Sequence, residues 1–337
     1  MTLGVAILGT GRLGGNYINT VNVSDGAETR VVAEPREEQV VDLKVANPNI
    51  DFVASYRDVL DNDDIDIVVG TLPHWLHHQA AIDCLNAGKH VFLEKPMALN
   101  TDECDEMIAV AKSTGKLLMT AHTQRYFGEN IKMKEIIDSG DLGEVKMVNA
   151  MWVKPLDPHL RPAWMLDGSK GGGMGQMDGT HLIDRLIWLL GDDIYSVTGV
   201  TSNYTHPELS ADDSGHQFFR WKSGKTASIT RMGWKHGITE YGADYFFTEG
   251  QAKHRRAYGR KGTTGVWVEK DNEWENVPFD DINSQEVQFN DFVQAVKRGD
   301  TDSPTPMNHG RRVMRVFDAT EESHRTGKEV IIDDLMS

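Results

Sequence analysis

From Leu3 to His122 short apolar runs alternate with amphipathic stretches: LGVAIL, RVVAE, DFVAS, DIVVGTL, HVFLEK and LLMTAH, separated by segments long enough for helices. This alternation is the βαβ rhythm of a parallel sheet. Asn16 to Val23, His74 to Ala87 and Asp102 to Ser113 carry apolar residues at the spacing of one helix face, and Gly88 and Gly115 stand where such helices end. The first part of the chain therefore reads as doubly wound α/β.

The rhythm changes after His122. One helical segment (Glu129 to Ser139) precedes a strand-like run (Glu144 to Lys154), a polar Pro-rich stretch and a Gly-rich entry into another helix. Strand-like runs then dominate, at Ser196 to Tyr204, Gln217 to Lys222, Thr226 to Trp234, Asp244 to Thr248 and Gly265 to Glu269, with a Ser223-Gly224 turn between two of them. Helical periodicity returns at Gln285 to Arg298 and Gly310 to Thr326. The pattern predicts a dinucleotide-binding α/β domain over residues 1–122. It predicts an α+β domain with an open, largely antiparallel sheet over 123–337, whose C-terminal helix packs back on the first domain.

Charge narrows the partners. The 337 residues include 35 Lys+Arg against 51 Asp+Glu, a formal balance of −16, which repels phosphate backbones and anionic lipid. Nucleic acid and membrane surfaces are therefore not expected as partners. No apolar run reaches the roughly 20 residues of a transmembrane helix, and no signal peptide is evident at the N-terminus. Two cysteines without C-x-x-C spacing, Cys84 and Cys104, fit a reducing cytoplasm.

Gly9-Thr10-Gly11-Arg12-Leu13-Gly14 follows the first predicted strand and opens the first predicted helix, the context that gives G-x-G-x-x-G its meaning. Gly9 allows the tight turn, Gly11 lets a pyrophosphate approach backbone N–H groups, and Gly14 lets the helix pack close to the sheet. Glu34, 20 residues beyond Gly14, stands where a carboxylate accepts hydrogen bonds from the adenosine ribose. That points to NAD. Arg36, two residues on, could turn toward a 2′-phosphate, so NADP stays open.

Ala87-Gly88-Lys89-His90-Val91-Phe92-Leu93-Glu94-Lys95-Pro96 puts Lys95 at the carboxyl end of a buried strand, where open α/β sheets bind ligands. Desolvation there lowers a lysine pKa toward the range useful for proton transfer. Glu94 orients Lys95 or the nicotinamide, or caps a turn. With its AGKHV and EKP, the chain resembles the glucose-fructose oxidoreductase/inositol dehydrogenase/MocA family. Leu72-Pro73-His74-Trp75-Leu76-His77 is similar to the family's T-P-N-x-x-H, and FVQAVKRG (Phe292 to Gly299) and ATEESHRTGKEV (Ala319 to Val330) to its closing pattern. The resemblance implies a Rossmann domain plus an open-sheet domain, a nicotinamide cofactor beside Leu72, Pro73, His74 and His77, and a sugar, polyol or sugar-derived substrate. It also implies a homodimer or homotetramer and a cis bond before Pro96. His74, His77 and His78 have metal-ligand spacing, but no third ligand type accompanies them and no metal is expected.

Gly171-Gly172-Gly173 and the residues up to Asp178 read as a flexible approach to a helix that contains His181. In the family a histidine here holds the reacting hydroxyl, with an aspartate four residues earlier. In this chain Met177 occupies that position, and Asp178, three before His181, would point about 100° away on a regular helix. Either the surrounding glycines rotate Asp178 into the site, or Lys95 and His181 act without a carboxylate, helped by Gln176 or water. The second is the expectation, and capping is an equal alternative role for Asp178. Asp184 is expected to orient His181 or Arg185. His159, Arg161 and Trp164, in a loop taken to include Trp152, and Arg125 and Tyr126 at the domain crossover, are candidates for substrate recognition or for packing. Lys253-His254-Arg255-Arg256 reads as a solvated strand end or an intersubunit salt bridge.

The resulting expectation is hydride transfer between NAD(P) and a hydroxyl/ketone carbon of a sugar, inositol or glycoside, with Lys95 carrying the proton. Redox-neutral NAD-dependent glycoside cleavage and a non-catalytic NAD-binding sensor are the alternatives.

Overall fold

In the computed structural model, which describes residues 2–11, 13–191, 194–257 and 263–332, the six apolar runs form one parallel sheet. Its strands are β1 (Leu3–Leu8), β2 (Ala27–Ala33), β3 (Asp51–Val53), β4 (Ile67–Gly70), β5 (His90–Glu94) and β6 (Leu118–Ala121), in the order β3-β2-β1-β4-β5-β6. Strand order reverses next to β1, which is the topological switch point of a Rossmann sheet. The intervening helices are α1 (Gly14–Val23), α2 (Val41–Ala46), α3 (His77–Asn86) and α4 (Thr101–Thr114). Asn100 caps α4 by accepting from the Glu103 amide, and Gly115 ends it at φ 66°, a conformation costly for residues with a Cβ.

Two compact units result: Met1–Thr123 with Asn283–Arg311, and Gln124–Ile282 with Arg312–Ser337. The later segment enters the first unit through α7 (Ser284–Arg298), capped by Asn283. Phe289, Phe292, Val293 and Ala295 join Val5, Ile7, Tyr17 and Phe92 in one buried cluster, with Phe92 edge-on to Phe289 at 5.3 Å between ring centroids.

In the second unit, α5 (Gly128–Ser139) and α6 (Thr180–Leu190) accompany a nine-stranded sheet. The strands are β7 (Val145–Pro155), β8 (Ile194–Ser202), β9 (Ser214–Trp221), β10 (Thr226–Trp234), β11 (Glu240–Phe247), β12 (Gln251–Arg255), β13 (Gly265–Lys270), β14 (Glu273–Val277) and β15 (Val330–Ile331). Their order is β14-β13-β12-β11-β7-β10-β9-β8-β15, antiparallel throughout except between β7 and β10. The last helix is α8 (Met307–Thr326).

The basic run Lys253 to Arg256 stands at a strand end, as expected, but it is not freely solvated. Three of its residues lie in β12, and its charges find partners within the chain. Lys253 sits 3.8 Å from the centroid of the Trp274 ring, Arg255 pairs with Asp244 at 2.8 Å, and Arg256 with buried Glu129 at 2.9 Å. His254 is buried, and burial beside Arg185 holds its pKa well below the usual histidine range.

Phe292→Ala should open a cavity in the first unit's core and cost about 3–5 kcal/mol. Guanidinium melts followed by far-UV circular dichroism would check this, and a loss below about 1 kcal/mol would contradict the packing described.

Candidate active site

The glycine turn leaves β1 with Gly9 at φ 89°, and its amide donates to the Ala33 carbonyl at 2.8 Å. A side chain on Gly14 would run into the Gly9 carbonyl oxygen, so α1 starts directly against the turn. By contrast, a Cβ on Gly11 would meet nothing within 4 Å. That open space lies before a helix whose first turn carries no acidic residue, an arrangement that suits a dinucleotide's phosphates. Leu13 is exposed beside it, and Arg12 lies outside the described residues.

Glu34 is buried at the end of β2, where Thr10 donates to its Oε2 through the amide (2.8 Å) and hydroxyl (3.0 Å). Arg36 closes a fork on the same carboxylate, Nε to Oε1 at 2.6 Å and Nη2 to Oε2 at 3.0 Å. Burial alone would raise the carboxyl's pKa, but the bonds from Arg36 and Thr10 outweigh it and hold the group at about 2.

Two strands over from β1, Glu94 and Lys95 are both buried at the carboxyl end of β5, and the Lys95–Pro96 peptide is cis. Glu94 accepts from the Tyr17 hydroxyl at 2.8 Å, and burial pushes its pKa up against the opposing pull of Lys95. His77 is fully buried with Nδ1 2.8 Å from the Pro96 carbonyl and Nε2 2.9 Å from that of Leu72. Burial lowers its pKa, with Lys95 adding to the shift. With its lowered pKa the ring is neutral and carries one N–H, so His77 donates to one of these two carbonyls while its other nitrogen lies against the second. His74 packs against it with ring centroids 5.6 Å apart, while His78 turns away to Glu106.

In the second unit the glycine run is a tight packing surface, not the flexible approach expected. Side chains on Gly173 and Gly175 would collide with Asp212 and Phe317, and one on Gly215 would come 2.5 Å from the Arg231 guanidinium carbon. Arg231 is buried, bonded to Gln217 at 2.9 Å and to Asp212 at 3.4 Å, and Asp212 in turn accepts from the Gly175 amide at 3.0 Å. Over this pair the chain makes one π-helical turn, Gly175–Gly179, before α6 begins. Such turns put side chains out of phase with a continuous α-helix, so the 100° argument against Asp178 does not apply.

Asp178 is 4% exposed and its Oδ1 accepts from Lys154 Nζ at 2.7 Å. Lys154 lies on β7, 4.9 Å from the ring centroid of Trp152, whose ring lies tilted 34° and 5.8 Å from that of half-buried His181. Trp152 is therefore a strand residue and not part of the loop. Sequence reasoning missed Lys154, although strand alternation puts it on the same face as Trp152. Asp184 pairs with Arg125 (2.8 Å), not with Arg185, whose Nη2 donates to the Gly242 carbonyl at 3.3 Å. Arg125 is thereby committed to an ion pair. Tyr126 is half-buried.

A cleft open to solvent is lined by Lys154, Arg161, Met177, Asp178 and Asp212 with the apolar side chains of Leu156, Met165 and Leu209 among others. Of the three loop candidates only Arg161 lines it. His159 is exposed and Trp164 half-buried.

Comparison with known proteins identifies the family and the fold. Residues 3–122 match the GFO/IDH/MocA oxidoreductase model with an NAD-binding Rossmann fold, and residues 130–253 match the GFO/IDH/MocA C-terminal domain. The chain belongs to this oxidoreductase family, and its first unit carries the NAD-binding domain. It is similar to the scyllo-inositol 2-dehydrogenase (NADP(+)) of Bacillus subtilis strain 168, 24% identical across 98% of this chain and 96% of that protein. It is also similar to the 1-carboxy-3-chloro-3,4-dihydroxycyclohexa-1,5-diene dehydrogenase of Comamonas testosteroni, 29% identical over 52% of this chain but only 44% of that protein. The match to that relative thus spans less than half its length. Among solved structures, levoglucosan dehydrogenase in complex with NADH and L-sorbose superposes with a TM-score of 0.87 at 20% identity, covering 100% of both chains. Among the described residues no helix is long and apolar enough to cross a membrane.

The Glu34 clamp carries a pH signature. A folded pKa of about 2 against an ordinary 4.5 stabilises the fold fully above the higher value, and that contribution is lost as pH falls toward the lower. The stability gap between wild type and Glu34→Gln in urea melts should be constant above about pH 5 and shrink on acidification. A gap that widens toward acid would contradict the clamp.

Proposed function

We propose that this protein is an NAD-preferring dehydrogenase or reductase that moves a hydride between the nicotinamide and a hydroxyl/ketone carbon of a sugar, polyol or related ring. The observation that carries this reading is buried Lys95 at the carboxyl end of β5, on the same sheet edge as the open glycine turn. Gly9 to Gly14 would cradle the pyrophosphate, Glu34 would meet the adenosine ribose, and the Leu72–His74 turn would flank the nicotinamide. When bound, the nicotinamide supplies the hydride acceptor or donor.

The chain's own residues supply the proton chemistry. Lys95 takes the hydroxyl proton in oxidation and returns it in reduction, and buried Glu94 beside it holds it in position. His181 orients the hydroxyl, and the Lys154–Asp178 pair shapes the substrate's surroundings. NAD preference rests on Glu34, a carboxylate that repels a 2′-phosphate while Arg36 is engaged on it by two bonds.

Lys95→Met should lower turnover by at least about 100-fold and leave NAD affinity, read by calorimetry, unchanged. NADH release equal to product formed separates net oxidation from redox-neutral glycoside cleavage. An active Lys95→Met protein would overturn the assignment.

A further inference from the structure

The charges around the second unit's cleft do not cancel. Lys154 and Asp178 form a pair at 2.7 Å, and Asp212 pairs with buried Arg231 at 3.4 Å. Arg161 lines the same cleft, and among the described residues its guanidinium has no acidic or carbonyl partner. It is half-buried and sits between two short helical turns, Pro158–Leu160 and Ala163–Leu166, which place it at the wall of the cleft. An uncompensated guanidinium at a partly desolvated wall is a carboxylate receptor, since it offers parallel N–H donors at the spacing of two carboxylate oxygens.

A second observation points to the same occupant. Asp178 is 96% buried, being only 4% exposed, yet its Oδ2 has no hydrogen-bond partner in the described structure while Oδ1 is held by Lys154. A buried carboxylate oxygen without a donor is costly, and a hydroxyl group in the cleft would supply one. Met165, Met177 and Leu209 give the remaining wall an apolar surface suited to the C–H face of a ring.

We infer that the cleft takes a hydroxylated ring bearing a carboxylate, with Arg161 holding the carboxylate and Asp178 accepting from a ring hydroxyl. The proposal rests on the sugar or polyol reading above and narrows it to acids. The charge-assisted bond to Arg161 should favour an acid over its neutral counterpart by about 10–100-fold.

The test is calorimetric binding to the full-length protein in saturating NAD, with matched pairs that differ only in the carboxylate. Methyl glucuronides and galacturonides against the corresponding methyl glycosides, and cyclohexanepolyol carboxylic acids against the parent cyclitols, form the panel. Wild type should prefer the acid in at least one pair. Arg161→Met should abolish that preference, and Arg161→Lys should restore part of it. Arg161 makes no side-chain bond within the described protein, so circular dichroism should show all variants folded. Equal affinities across the panel, no binding of any acid, or a preference that survives in Arg161→Met would overturn the proposal. NADH formation in the same samples is scored separately. Neutral substrates turned over without acid preference would sink only this inference, whereas acid binding without any hydride transfer would sink only the dehydrogenase reading.

Discussion

A guanidinium withdrawn from water sets the terms for the second unit. Arg231 is buried, so it must be paired, and its partners Asp212 and Gln217 leave room for backbone only around it. Glycines at 173, 175 and 215 follow from that geometry, because a methyl group at any of them would press into the guanidinium, Asp212 or Phe317. The amide of Gly175 then bonds Asp212, which fixes where the π turn begins and, through it, the direction in which Asp178 leaves the chain. A buried charge pair thus determines where a site carboxylate sits.

The first unit manages charge differently. Glu34 is held from one side by Thr10, part of the phosphate-binding turn, and from the other by Arg36. The carboxylate that would read the ribose is consequently preorganised by the same loop that would hold the phosphates. Glu94 and Lys95 are both buried, with Glu94 accepting from the Tyr17 hydroxyl, and His77 is enclosed between the Leu72 and Pro96 carbonyls. These groups come from the end of β5 and from helices α1 and α3.

What could be read in advance was local. The glycine turn and Glu34 are fixed by spacing within one βαβ unit, Lys95 by its place at the end of a later apolar run, and the parallel sheet follows from apolar runs that need no partner to be recognised. What could not be read depends on pairings distant in sequence. Asp184 chooses Arg125, 59 residues away, over its neighbour Arg185, which the sheet has buried elsewhere. Asp178 meets Lys154 only because β7 runs beside the π turn, and Arg256 reaches Glu129 across 127 residues. Helix α2 and strand β14 were invisible because neither buries a residue, so no apolar periodicity marks them.

The contribution of α7 to the first core has a consequence for biogenesis. The aromatic side chains of Phe289 and Phe292 complete a cluster whose other members are mostly made before residue 124. The 159 residues of 124–282 must be translated in between, which at about 5–20 residues per second leaves that surface uncovered for roughly 10–30 s on the ribosome. During that interval the nascent sheet presents an apolar face that only its own late-arriving helix can seal, which makes it a natural client for holdase chaperones.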